Sequence, residues 1–431
     1  MKTKINKVSI LTLGCSKNLV DSETLLGQLK ANGYLYTENV NEADALIINT
    51  CGFIKPAKEE SIGVIIEACE LRKKKSLKKL IVCGCLSERY AEELKDQVKD
   101  VDHFFGIDSH KQILEVLDPD MRKELKGERE LLTPKHYAYI KISDGCDHKC
   151  SFCAIPLIRG AYRSREIDDI VSEAKLLAGQ GVKELNLIAQ DTTFYGVDLN
   201  KKRLLADLLE GLSGINGPEW IRLMYTYPKG FPEEVLDVMA DHSNICKYVD
   251  IPLQHISDKV LKSMKRGLTG DDTRKLIEKI RTKVPGIAIR STFIVGYPNE
   301  TEKDFKELLK FINEYKLERV GVFTYSQEED TSADPLGDPI AEELKDERRN
   351  ALMEAQMNIS YKRNQSYIDK TIKVMIDEER GDLYFGRTES DAPEVDNGVF
   401  VSSTKKLKPG DFVNVRISSA EEYDLHGEVV D

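Results

Sequence analysis

Three things are scarce in this sequence, and each shortage excludes a class of protein. No apolar run is long enough to cross a membrane. Lys2, Lys4 and Lys7 precede a short apolar stretch at 8–13, and the polar Ser16-Lys17-Asn18 follows at once. That stretch is too short for the core of a secretory signal, so a cytoplasmic protein without membrane partners is expected. Cysteine is also sparse. Nine cysteines in 431 residues do not make a disulfide scaffold. Five of them lie in one tight cluster and one C-x-C pair, a usage that favours metal ligation in a reducing compartment. Positive charge is in deficit, with 63 Lys and Arg against 74 Asp and Glu. A net acidic protein is a poor general nucleic-acid binder unless it carries a local basic patch. The basic run at 72–79 reads as a solvated helix face and loop. Hydrophobic residues at 41% suffice to build real cores, and the length implies two to four domains.

The most informative stretch is Ile142-Ser143-Asp144-Gly145-Cys146-Asp147-His148-Lys149-Cys150-Ser151-Phe152-Cys153. Its cysteines stand at C-x3-C-x2-C spacing, with an aromatic before the third. Three thiolates leave one metal position open, as a catalytic metal requires. The spacing fits neither the usual zinc pattern nor the ferredoxin one. The competing reading is a zinc knuckle with His148 as fourth ligand. The spacing resembles the radical S-adenosylmethionine (SAM) signature. That resemblance implies that Cys146, Cys150 and Cys153 hold three irons of a 4Fe–4S cluster, while SAM chelates the fourth.

Before this stretch, apolar runs at 8–13, 45–49 and 80–82 alternate with helical patterns at 21–32 and 56–74. The alternation predicts a parallel sheet with helices on its faces. Each run ends at a cysteine beside a glycine: Gly14-Cys15, Cys51-Gly52 and Cys83-Gly84-Cys85. The carboxyl ends of parallel strands share one edge, where ligands bind. Cys15, Cys51 and one of Cys83 or Cys85 are thus candidates for a second cluster. The competing reading is three unrelated small core residues. Residues 118–133 are charged and weakly patterned and read as a linker.

Strand patterns follow at 137–142, 184–189, 220–226, 248–251, 287–295 and 319–323, with helical patterns between them. Six βα units predict an open (β/α) barrel with its active groups at the carboxyl ends of the strands. Gln190-Asp191-Thr192-Thr193, Pro252-Leu253-Gln254-His255 and Gly296 to Thr301 fall at those ends and read either as a SAM pocket or as turn and cap chemistry. A polar helix at 341–370 closes this region. Short strands at 372–376, 383–387, 399–401 and 412–418, with Asn397-Gly398 and Pro409-Gly410 turns, predict a small all-β barrel. From Gln365 onward there are eight Lys and Arg against fifteen Asp and Glu. Such a tail should repel a phosphate backbone and attract a basic protein.

Taken over essentially the whole chain, the sequence resembles the methylthiotransferase family. The stretches that carry the resemblance are Leu13-Gly14-Cys15-Ser16-Lys17-Asn18-Leu19-Val20-Asp21-Ser22-Glu23, Asn49-Thr50-Cys51-Gly52-Phe53-Ile54, Ile188-Ala189-Gln190-Asp191-Thr192 and Asp391-Ala392-Pro393-Glu394-Val395-Asp396. Within the family they are most similar to the branch that methylthiolates an aspartate of the twelfth small-subunit ribosomal protein. The resemblance implies an α/β chain of three parts: an N-terminal domain over 1–125, a radical-SAM domain over 132–364 and a TRAM domain over 365–431. It further implies two 4Fe–4S clusters, the second on Cys15, Cys51 and Cys85 and carrying a sulfide. It also implies SAM as both radical source and methyl donor, and an external electron donor. Cys83 then stands aside, and Cys69 and Cys246 are structural. Phe152, Gln190, Asp191, Gln254 and Arg290 are the expected SAM contacts. Arg159, Arg163 and Arg165 either meet SAM or a substrate carboxylate or form ion pairs. Two other functions compete: methylthiolation of a tRNA adenosine, which the acidic tail disfavours, and a non-catalytic metal-bearing protein that binds ribosomes.

Overall fold

The computed structural model describes residues 5–74, 77–118 and 129–430. Most of the expected linker, and Lys75 and Ser76 of the basic run, lie outside the described residues. The chain divides into two compact units. The first comprises Met1–Leu132, Gly145–His148 and Cys153–Tyr162, and the second comprises Thr133–Asp144, Lys149–Phe152 and Arg163–Asp431. The cysteine-rich stretch therefore contributes segments to both.

The first unit is built on a parallel sheet. Its strands are β1 (Lys7–Thr12), β2 (Leu35–Tyr36), β3 (Ala45–Thr50), β4 (Lys79–Gly84) and β5 (His103–Phe104), in the order β2-β1-β3-β4-β5. The two short edge strands were not evident in the sequence, because two residues carry no periodicity. Helices α1 (Ser16–Ala31), α2 (Lys55–Lys74), α3 (Cys85–Gln97) and α4 (His110–Leu117) cover the faces. β3 is buried along its whole length, as expected of a central parallel strand. One core gathers Val8, Leu25, Leu26, Ile81 and Leu114; the other gathers Leu46, Ile48, Ile65 and Val82. Helix α1 begins directly after Cys15, five residues earlier than its apolar spacing predicts.

The second unit holds six parallel strands in the order β13-β12-β11-β10-β9-β6, so the expected open (β/α) barrel is present. They are β6 (Tyr137–Lys141), β9 (Glu184–Ile188), β10 (Trp220–Leu223), β11 (Ile245–Asp250), β12 (Ala288–Val295) and β13 (Arg319–Thr324). A two-stranded ribbon, β7 (Ser143–Asp144) with β8 (Arg163–Ser164), stands beside them. Helices Gly270–Lys283 and Glu302–Tyr315 both open with a capping box, on Thr269 and Thr301. The long helix ends at Gln365, short of the expected Lys370.

The TRAM part is a closed barrel of five strands: β14 (Thr371–Arg380), β15 (Leu383–Arg387), β16 (Val399–Ser402), β17 (Phe412–Ala420) and β18 (Leu425–Val430). β18 escaped the sequence pattern because Gly427 interrupts it. Glycine is required there, since a Cβ would stand 2.5 Å from the Arg416 carbonyl oxygen.

The Asp391–Asp396 stretch seats this small barrel against the larger one. Tyr137 on β6 donates to Glu394 (3.0 Å), Arg222 on β10 to the Glu389 carbonyl (2.6 Å), and Tyr248 on β11 to Asp396 (2.7 Å). Arg290 on β12 reaches Asp396 (3.3 Å) and Arg319 on β13 reaches Asp391 (2.5 Å). From β9, Glu184 accepts from Arg387 of β15 (2.8 Å). All six strands of the open barrel thus hold the TRAM part. The acidic count of the tail overstates its free surface charge, because Asp377, Asp391 and Asp396 are spent on arginines.

Candidate functional site: two cysteine sets

In the first unit, β1 pairs with β3 and β3 with β4, with Thr12 beside Asn49 and Thr50 beside Gly84. The carboxyl ends of three adjacent strands are therefore side by side, about 5 Å from one to the next. Cys15, Cys51 and Cys85 follow those ends. Their approach is visible in the glycines. A Cβ on Gly14 would lie 2.7 Å from Cys51 Cβ and 2.9 Å from its sulfur. One on Gly52 would lie 2.8 Å from the Cys85 carbonyl carbon. Only glycine allows these backbones to come so close.

Hydrogen bonds lock the edge. Asn18 donates to the Leu13 and Thr50 carbonyls (2.9 and 3.0 Å), and Asn49 to the Asn18 carbonyl and Ser22 (both 2.9 Å). Ser61 accepts from the Cys51 N–H (3.0 Å) and donates to its carbonyl (2.9 Å). Helix α5 (Ile155–Arg159) delivers Arg159 into the same edge. Its Nη2 donates to Asn18 Oδ1 (2.7 Å) and Asp21 (3.1 Å) and lies 3.7 Å from Cys85 Sγ. Arg159 thus forms an ion pair with Asp21, and Arg165 pairs with Glu173.

Burial pushes the Cys85 thiol up to about 12, against the pull of Arg159 and with a push from Cys15 and Cys51. Burial also raises Cys51. Two buried thiols, Cys51 and Cys85, beside the exposed Cys15 are a donor set that a cationic iron–sulfur centre would satisfy. Cys83 points elsewhere. It packs with Val8, Leu25 and Leu114 in the core, and burial pushes it up to about 12.

Gly84 is the hinge between strand and cysteine. Its φ of +95° and ψ of −163° belong to glycine alone. A Cβ would meet Asn49 Oδ1 at 2.3 Å and the Thr50 carbonyl at 2.7 Å. Gly84→Ala should cost about 2 kcal/mol or more and displace Cys85. A urea titration together with the iron content after reconstitution checks this; unchanged values for both would refute it.

In the second unit, Cys150 and Phe152 belong to a segment tied to the barrel. The Ser151 N–H donates to the Met264 carbonyl (3.0 Å), and its carbonyl accepts from the Ala333 N–H (2.8 Å). The Ser151 and Tyr297 hydroxyls are 2.8 Å apart. Phe152 packs against Val260, Met264, Tyr297, Tyr325 and Ala333. Cys150 Sγ is 3.3 Å from Arg266 Nη1 and 3.6 Å from the Tyr227 hydroxyl. Neither Arg266 nor Tyr227 carried any signal in the sequence. Cys146 and Cys153 belong to the first unit, where the Cys146 N–H donates to the Gly160 carbonyl (3.1 Å). All three thiols are partly exposed.

The strand ends separate the expected SAM contacts. Gln190 donates to Asp144 (3.2 Å), which also binds Lys141 (2.8 Å). Gln254 adopts a left-handed φ of 73°, as Tyr225 does at 56°. Such non-glycine strain gathers at functional positions. Two more of the expected contacts also hold partners within the protein. Arg290 is tied to Asp250 (2.9 Å) and Asp396, so it anchors the TRAM part. Asp191 is buried and accepts from the Thr193 N–H (2.8 Å) and hydroxyl (2.6 Å), as a cap. Among the described residues no three His, Cys, Asp or Glu side chains are gathered tightly enough for a single metal ion. A 4Fe–4S cluster places each cysteine on a different iron and does not demand that convergence.

Comparison with known proteins agrees with this architecture. Residues 140–312 match the Radical SAM superfamily, 7–106 the Uncharacterized protein family UPF0004, and 368–430 the TRAM domain. A ribosomal protein uS12 methylthiotransferase RimO of Chloroherpeton thalassium is 51% identical over 434 residues, covering 100% of both chains. Another, from Aquifex aeolicus, is 51% identical over 98% of this chain and 96% of its own. The solved structure of the radical S-adenosylmethionine methyltransferase TsrM from Kitasatospora setae, with cobalamin and a [4Fe-4S] cluster bound, shares the fold. Its TM-score is 0.54 at 16% identity, over 77% of each chain.

Proposed function

The chain belongs to the RimO family of ribosomal protein uS12 methylthiotransferases, and from that premise we propose that it replaces a β-hydrogen of an aspartate in that ribosomal protein by a methylthio group. The single observation that carries the reading is the meeting of Cys15, Cys51 and Cys85 on one sheet edge, in a chain that also has the C-x3-C-x2-C stretch. A β C–H bond is too weakly acidic for a side-chain base, so a radical source and a separate sulfur source are both needed.

When bound, SAM and two iron–sulfur clusters supply the electron-triggered radical, the sulfur and the methyl group. The chain contributes position and dryness. Cys146, Cys150 and Cys153 would hold one cluster, and Cys15, Cys51 and Cys85 the other. Gly14 and Gly52 keep space at the second set, and Asn18 and Ser61 hold its backbone. Ser151 and Phe152 brace Cys150 against the barrel. Gln190 and Gln254 stand at strand ends where SAM would lie, and Phe152 beside the cluster cysteines. The surplus of acid on the TRAM part suits a basic ribosomal protein better than a tRNA. An external electron donor completes the system.

The test is direct. The protein is reconstituted anaerobically with iron and sulfide, then given SAM and reductant with a uS12 loop peptide and, in parallel, a tRNA. The expected result is a methylthio mass gain on the peptide aspartate and none on the tRNA. A gain on tRNA alone would overturn the substrate assignment. Absence of 5′-deoxyadenosine would overturn the reaction.

A further inference from the structure

Arg266 stands out among the buried cations of the second unit. It is 4% exposed, yet among the described residues no carboxylate pairs with it. Every other buried arginine described above has an acidic partner. A buried guanidinium is costly unless a negative group answers it. The groups that answer here are Cys150 Sγ, 3.3 Å from Nη1, and the Pro252 carbonyl, 2.5 Å from Nη2. The guanidinium carbon lies 4.3 Å from the centre of the Tyr227 ring. The Tyr227 hydroxyl donates back to the Arg266 carbonyl (3.2 Å) and stands 3.6 Å from the same sulfur.

The backbone is built for this aim. Helix Asp258–Ser263 ends, and Lys265 and Gly267, on either side of Arg266, take left-handed φ values of 56° and 72°. The Arg266 N–H closes the turn on the Leu261 carbonyl (3.0 Å). Met264, two residues earlier, receives the Ser151 N–H. The turn therefore grips the cysteine segment twice, once through backbone beside Cys150 and once through its sulfur.

We propose that Arg266, braced by Tyr227, is a positioning residue for the cluster carried by Cys146, Cys150 and Cys153 and sets how readily that cluster accepts an electron. This rests on the reading of those cysteines as cluster ligands. An iron-bound thiolate is negative, and one-electron reduction makes the centre more so. A charged donor on a ligand sulfur stabilises the reduced form, because hydrogen bonds and net charge at the sulfurs set the potential. A charge-assisted hydrogen bond corresponds to about tenfold or more in an equilibrium constant. Tyr227 keeps the fork in register by covering one face of the guanidinium and by holding the Arg266 carbonyl through its hydroxyl.

The experiment uses the full-length chain carrying Cys15→Ala and Cys51→Ala, reconstituted so that one cluster remains, with Arg266→Met, Arg266→Lys and Tyr227→Phe made on it. Iron and sulfide per chain are measured. The electron paramagnetic resonance of the reduced cluster is then recorded at a series of poised potentials. The expected result is retained iron in Arg266→Met, with the ratio of reduced to oxidised cluster at a fixed poise lowered about tenfold. Arg266→Lys falls between that and the parent, and Tyr227→Phe shifts the same way by less. A parental titration curve in Arg266→Met would overturn the proposal. Should Arg266→Met take up no iron, Arg266→Lys decides: a lowered ratio supports the pairing and a parental curve overturns it. A parent chain with no cluster would instead overturn the reading of the cysteines, and the pairing with it.

Discussion

Glu184→Ala should destabilise the second unit by about 3–5 kcal/mol, a fall of roughly 6–20 °C in melting temperature. Glu184, Arg222 and Arg387 are almost wholly buried. Arg222 Nε donates to one carboxylate oxygen (2.7 Å) and Arg387 Nη2 to the other (2.8 Å). Burial by itself would raise the Glu184 carboxyl, but the two guanidinium groups overcome it and hold the group below the usual carboxylate range. Truncation leaves two buried cations sharing what remains. Arg387 keeps Asp377, which His136 also contacts (2.8 Å), while Arg222 keeps a carbonyl and the Tyr248 ring. Replacing Glu184, Arg222 and Arg387 together by apolar residues should recover much of the loss, because the penalty lies in unpaired charge. Urea midpoints of both variants check this. A loss under about 1 kcal/mol in the single variant would place the network among solvated ion pairs.

The second large effect separates the two cysteine sets. Cys146→Ala should abolish 5′-deoxyadenosine formation and the methylthio product together. Cys15→Ala or Cys85→Ala should keep SAM cleavage and lose only the product. Each should bind about half the iron of the parent, because each removes a ligand on which one metal site depends. Cys83→Ala should bind full iron, since its sulfur faces the α1–α4 core. Iron content and chromatography of the nucleoside decide. Loss of SAM cleavage in Cys15→Ala would mean that the two sets do not act as separate centres. Full iron in Cys85→Ala with half in Cys83→Ala would exchange their roles.

The choice between those two neighbours illustrates what a sequence can carry. Two residues apart on one strand end, both fit a C-x-C pattern. The close approach of Gly52 to the start of α3, and the packing of Cys83 in the core, set them apart. Similarly, Arg290 sits in a conspicuous strand, but its partner Asp396, 106 positions away, is not legible from that strand. The sequence also does not show that the Asp191 carboxylate caps Thr193.

What the sequence determined by itself was periodic or local: strand–helix alternation, six βα units, a terminal β-barrel, and cysteines placed beside glycines at strand ends. These follow from side-chain period, turn chemistry and backbone sterics, which act over a few residues. What only the tertiary structure decided was partnership. Arg266 reaches a sulfur 116 residues away, and all six strands of the open barrel hold the TRAM part. A buried charge takes whichever partner the packed chain places beside it, and that placement is a property of the whole fold.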